Sequence, residues 1–180
     1  SLGELAIAYE SERGNIPGKE VFEKMRGILH IMENAIQTGL KGTQYADRIL
    51  GSQSTQMKEQ LQKKRLTGGD ANNIIIMYVS AMMEVKSSMG VIVAAPTAGS
   101  CGALPGAIIG MGESLGASEE EKVKALLVAG LIGVFIAAHA TFAAEVGGCM
   151  AETGSGAGMA AAGIVAMANG SLNQSLAAAS

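Results

Sequence analysis

The chain has 180 residues, 48% of them hydrophobic, a formal net charge of −3 and no tryptophan. Such a composition supports a sizeable core and excludes a disordered chain. Its one basic run, Lys63-Lys64-Arg65, is too short to track a phosphate backbone, and 3% aromatic residues leave no platform for stacked bases, so nucleic acid is not an expected partner. The 25 glycines and 11 methionines suit closely packed helices and adaptable pockets. The two cysteines, Cys101 and Cys149, make no zinc-finger spacing, and no apolar stretch after a basic start reads as a signal peptide. Free thiols in a reducing, cytoplasmic setting are therefore expected.

Taken in chain order, residues 6–12 read as a short first helix ending near Gly14, followed by the turn Asn15-Ile16-Pro17-Gly18. Residues 21–40 are the clearest amphipathic helix. Val21, Met25, Ile28, Leu29, Met32, Ala35 and Ile36 recur at the spacing of one helical face, with Glu23, Lys24, Arg26 and Glu33 largely opposite. Residues 45–66 are polar and read as a mobile connector holding one helical piece. Thr67-Gly68-Gly69-Asp70 is a tight turn with Asp70 as candidate N-cap. Residues 73–89 read as an apolar helix, although the run Ile74-Ile75-Ile76-Met77-Tyr78-Val79 fits a strand as well, which periodicity alone does not settle.

Pro96 disfavours helix at Ala95, so residues 91–96 read as extended and Thr97-Ala98-Gly99-Ser100-Cys101-Gly102 as a loop of small residues. Pro105 suits the first turn of a helix through Ile108 and Ile109. Ser118-Glu119-Glu120-Glu121 is a capping box opening a long apolar helix to about residue 144. Residues 125–144, apolar apart from His139 and Thr141, match the roughly 20 residues that cross a bilayer. Their Ala- and Gly-rich make-up favours a buried central helix, with a membrane helix as the alternative. Residues 147–158 read as a second glycine-rich loop and 159–168 as an apolar helix ended by Asn169-Gly170, after which Ser171 and Gln174 start another. That last helix is still in mid-pattern at Ser180, so a single helical domain over 1–180, incomplete at its C-terminus, is expected.

Both cysteines fall in glycine-rich segments beside helix starts, where unsatisfied N–H groups lower a thiol's pKa or hold an anion. A buried structural role is the competing reading. Glu145 and Glu152 flank Cys149, either as a base or ligand-orienting carboxylate or as plain loop charges and caps. His139 reads as a hydrogen-bonded core histidine before it reads as a ligand, and His30 as lying at the boundary of its helix. No Ser/His/Asp constellation can be assembled, and Thr67-Gly68-Gly69-Asp70 lacks the pattern of a phosphate loop.

Two long motifs carry more. Ala95-Pro96-Thr97-Ala98-Gly99-Ser100-Cys101-Gly102-Ala103-Leu104-Pro105-Gly106 is similar to the A-P-T-A-G-S-C-G-x-L-P-G segment of iron–sulfur-dependent L-serine dehydratase alpha chains. Glu145-Val146-Gly147-Gly148-Cys149-Met150-Ala151-Glu152, with Gly154-Ser155 and Met159-Ala160-Ala161-Ala162 after it, resembles that family's G-G-C-Q-A-E-x-G-S stretch. Leu66-Thr67-Gly68-Gly69-Asp70-Ala71, Met83-Glu84-Val85 and Ser88-Met89-Gly90 also look like the family, and the resemblance runs from the first helix to Ser180.

The resemblance implies an all-α fold: a compact bundle of apolar helices with glycine-rich active-site loops. It implies a lyase that turns L-serine into pyruvate and ammonia without pyridoxal phosphate, in amino acid degradation feeding gluconeogenesis. The family's [4Fe–4S] cluster is held by three cysteines, and its open iron acts as a Lewis acid on the substrate hydroxyl while a base takes the Cα proton. Carried over by position, Cys149 is one cluster ligand. Thr97, Gly99 and Ser100 fall on the substrate side, where hydroxyl and N–H groups would hold the carboxylate. The base stays unassigned.

The family's other two ligands lie in later Cys-Asp-Pro and Val-Pro-Cys segments that this chain does not contain, and Cys101 is not read as a substitute. Met150 stands where the family has Gln. A cluster needs several thiolates, so this chain by itself is expected to be cluster-free and inactive. Expected partners are L-serine and a beta chain with a separate α/β domain, in an oligomer and without a membrane. A cysteine desulfidase of the same superfamily is the alternative enzyme, and a helical interaction or membrane protein the alternative outside catalysis.

Overall fold

The computed structural model describes residues 1–48 and 51–180 and is all-α: nine helices and no strand among the described residues. They are α1 (Leu2–Gly14), α2 (Gly18–Lys41), α3 (Ser54–Gln62), α4 (Asp70–Ser87), α5 (Ala103–Leu115), α6 (Glu119–His139), α7 (Ala144–Gly147), α8 (Cys149–Met167) and α9 (Leu172–Ala179). Several boundaries follow from local chemistry. Ser118 with Glu121 and Ser171 with Gln174 each close the reciprocal pair of side-chain and backbone bonds expected of them, opening α6 and α9. Ser1 and Glu4 do the same for α1, which therefore starts several residues before the periodic stretch that begins at Ala6.

The stripe on α2 faces inward as its spacing predicts: Val21, Leu29, Met32, Ala35 and Ile36 are buried. Its opposite face is laced by ion pairs, Lys24 with Glu20 and Arg26 with Glu23. α2, α4, α5, α6 and α8 enclose the core, with α6 against α8, α1 and α2, and α4 against α5, α2 and α3. α6 is long and apolar enough to cross a membrane by length and composition. Here Val123, Leu126, Leu127, Val128 and Ile132 lie at the centre of the core.

Four expectations need correction. The turn before α4 is capped by Gly69, not Asp70; Gly69 makes no side-chain cap, and Asp70 is the first residue of a helix that ends at Ser87. α6 stops at His139. The Thr141 hydroxyl accepts from the backbone N–H of Ala143 at 3.0 Å, a local bond that competes with helix continuation. His139 is exposed, not a core histidine, because the last turn of α6 runs past the bundle. Finally, residues 147–158 are not a loop. Gly148, at φ 70°, interrupts the chain, and from Cys149 onward it is continuous helix. Of the two glycine-rich loops expected, only the one at residues 97–102 is a loop.

Within the connector, the helical piece exists as α3 and is bound down. The Glu84 carboxylate on α4 accepts from the N–H groups of Gln53 (2.6 Å) and Ser54 (3.0 Å) and from the hydroxyls of Ser54 (2.8 Å) and Ser52 (3.2 Å). Burial pushes this carboxyl's pKa up, but those four bonds outweigh it and leave the pKa below the ordinary value of 4.5. Ile49 and Leu50, also in the connector, lie outside the described residues.

Candidate functional site

The two long motifs come together in space. The residue 97–102 loop leads into α5, and a ridge of glycines then seats α5 directly on α4. A methyl group at Gly106 would stand 2.6 Å from Val79 Cγ2 and 2.9 Å from the Val79 backbone nitrogen. The same close approach recurs one turn to either side, with Gly102 near the Val79 carbonyl and Gly110 near the Ile75 backbone. This packing fixes where the loop emerges. α8 crosses the loop with its own small residue, Gly156, against Pro96, Ala103 and Ser100.

Glu152 on the first turns of α8 makes the polar join. The Thr97 hydroxyl donates to Glu152 Oε1 at 2.6 Å. Thr97 Oγ1 in turn accepts from the Ser100 N–H at 3.3 Å and lies 3.2 Å from Ser100 Oγ. A hydroxyl has a single proton, and Thr97 gives its own to the carboxylate, so Ser100 is the donor in the hydroxyl pair. Gly99 completes the nest: a Cβ there would lie 2.5 Å from both carboxylate oxygens, so only glycine lets Glu152 sit down on the loop.

Thr97, Gly99 and Ser100 lie together in this loop, Ser100 buried and Gly99 at the surface. Cys149 is exposed at the first residue of α8, three residues before Glu152 and so on a neighbouring part of the same helix face. Val146 and Met150 beside it are 78% and 77% exposed, an apolar rim around the thiol. Cys101 is of a different kind. It is buried, 3.9 Å from the Met83 sulfur, and desolvation pushes its thiol pKa up.

Glu145 is exposed on α7. His30 is exposed and pairs with Glu119 across to α6 at 3.0 Å. Among the described residues no group of three or more His, Cys, Asp and Glu side chains could hold a metal ion. Sequence reasoning weighed Glu152 only as a neighbour of Cys149. Its i+3 spacing from the cysteine was visible, but its seat on Gly99 is set by how α8 packs against the loop.

Comparison with known proteins gives the chain's family. The serine dehydratase alpha chain family model matches residues 1–180. The chain is 34% identical over 174 residues to the probable L-serine dehydratase, alpha chain, of Bacillus subtilis (strain 168). It is 30% identical over 178 residues to the L-serine dehydratase, alpha chain, of Peptoniphilus asaccharolyticus. These alignments cover 97% and 98% of this chain but only 58% and 61% of the two relatives. The L-serine dehydratase of Streptomyces coelicolor is 28% identical over 94% of this chain and 38% of its own length. A match over every residue, carried by two motifs that the fold places side by side, makes this chain a member of the serine dehydratase alpha chain family.

Proposed function

We propose that this chain forms part of the catalytic domain of a cytoplasmic L-serine dehydratase, a lyase that releases pyruvate and ammonia from L-serine. The observation that carries the reading is the 2.6 Å bond from Thr97 to Glu152, which ties the Thr97–Ser100 loop to the helix that begins at Cys149. In this reading the loop receives the amino acid and Cys149 is one ligand of a [4Fe–4S] cluster.

The fit of the cluster to this chain is partial. Cys149 is accessible and is the first residue of α8. It is a single thiolate, however, and the described residues offer no group of three or more donors around it. The chain therefore fits one ligand position and not a whole cluster, and the remaining thiolates must come from elsewhere in the complete protein. When bound, the cluster would supply a Lewis acid for a poor leaving group.

What this chain's own residues do is bind and orient. The hydrogen bonds of Thr97 and Ser100 to one another and to Glu152 hold the loop in one conformation. With both hydroxyls so engaged, the N–H groups of the exposed Ala98 and Gly99 are what the loop can offer a substrate carboxylate.

The test compares the complete alpha chain, assembled with its beta chain, against the Cys149→Ser variant. The parent complex is expected to release pyruvate from L-serine faster than from L-cysteine, and the variant to lose both iron and activity. The 180-residue chain alone is expected to hold no cluster and release no pyruvate. Full iron and activity in Cys149→Ser would overturn the ligand assignment, and preference for L-cysteine would favour a desulfidase.

A further inference from the structure

We infer that Glu152 is the seat of the substrate's α-ammonium group; the inference rests on the serine dehydratase reading and assigns one subsite within it. Four observations converge on this carboxylate. It is only part-buried, so a ligand can reach it. It accepts a 2.6 Å bond from Thr97 on one oxygen, Oε1, and no other hydrogen bond or ion pair engages it among the described residues. The acidic side chains nearest the α2–α6 seam are paired, as Glu33 is with Lys122, Glu119 with Arg26 and His30, and Glu120 with Lys124. Glu152 rests instead on Gly99 and Thr97, and no cation pairs with it among the described residues.

A part-buried anion without a counter-ion is costly unless something stabilises it. The first turn of α8 and the Thr97 hydroxyl supply part of that stabilisation here. They leave its second oxygen without a partner among the described residues. A primary ammonium is the complementary ligand: three N–H donors and one positive charge on a compact head. The same nest offers the Ala98 and Gly99 N–H groups for a carboxylate. An α-amino acid carries both groups on one carbon, and the loop and the helix present their complements side by side. Glu152 would thereby orient the Cα–Cβ bond of serine relative to Cys149, which shares its helix face.

The test uses the complete alpha–beta enzyme and two ligands that differ only in the ammonium: L-serine, and 3-hydroxypropanoate as its competitive analogue. Glu152→Gln keeps the shape and removes the charge. It is expected to raise the KM for L-serine about ten- to a hundred-fold, the usual worth of a charge-assisted hydrogen bond. The inhibition constant of 3-hydroxypropanoate should stay within about two-fold of the parent value, since that ligand has no ammonium to lose. Iron content and thermal midpoint report whether the variant has folded around its cluster.

If Glu152→Gln proves unstable, Glu152→Asp makes the same comparison, because it keeps the charge and withdraws it by one methylene, raising the KM for L-serine while sparing 3-hydroxypropanoate. Equal weakening of both ligands, or an unchanged KM for L-serine, overturns the assignment and leaves Glu152 a purely structural tether. A parent enzyme that releases no pyruvate from L-serine sinks the serine dehydratase reading, and this inference with it. The two failures therefore separate at the first assay.

Discussion

Residues 99–110 and 147–158 are both rich in glycine and each carries one cysteine, but the fold treats them differently. In the first, Gly102, Gly106 and Gly110 form a ridge pressed onto the backbone of α4, and Cys101 is sealed beneath it. In the second, Gly154 has nothing within 4 Å, Gly156 meets the 97–102 loop, and Cys149 stands in the open. Small residues serve helix-to-helix approach in one segment and an accessible helix start in the other. The lesson is that glycine content marks places where backbone must come close to something, without saying whether that something is another helix or a ligand.

The sharpest way to break this comparison is thiol labelling of the folded chain. Cys149 is expected to react with an aromatic disulfide reagent at the rate of an open thiol. Cys101 should react at least about a thousand-fold more slowly, because it must wait for opening of the core and its thiol pKa is raised by burial. Comparable rates for the two would show that the packed and open segments are not distinct.

A pair of alanine substitutions should then move stability in opposite directions. Gly106→Ala puts a methyl group 2.9 Å from a backbone nitrogen, so α5 must lift off α4, at a cost of about 1–3 kcal/mol in urea unfolding. Gly154→Ala adds a methyl group in open space within a helix and should stabilise by about 0.5–1 kcal/mol, through helix propensity alone.

A smaller effect on the other side of α4 sharpens the picture. Glu84→Gln removes the charge that holds the start of α3, costing about 1–2 kcal/mol at neutral pH. Because the folded pKa lies below 4.5, the native state holds its proton less tightly than the unfolded chain. The contribution is therefore present above the unfolded pKa and is lost as pH falls through the depressed folded value. The parent chain should lose stability across that acid range more steeply than Glu84→Gln, measured by thermal midpoint at successive pH values.

Much of the helical plan was legible because the signals were local. The α2 stripe, the Ser118 and Ser171 capping boxes and Pro105 in the first turn of α5 each act within a few residues, so the sequence alone suffices to place them. The loop before α5 was legible for the same reason, since Pro96 restricts its neighbour directly. The misreadings came where a local preference met a tertiary one. Five glycines between residues 147 and 158 argue for a loop on propensity, yet the chain is helical from Cys149 because packing against the loop and against α9 needs bare backbone there. The apolar stretch through residue 144 argued for one long helix, and Thr141 bonding back to its own backbone ended it early.

By itself the sequence determined the all-helical class, the family through its two motifs, and the identity of the residues beside the candidate site. Those depend on residue type and on spacing along one chain. Only the tertiary structure decided which cysteine is reachable, that Glu84 ties α3 to α4, and that Glu152 rests on Gly99 with its charge unmatched. Those facts depend on distances between segments 30 to 55 positions apart, which side-chain packing sets and no local pattern encodes.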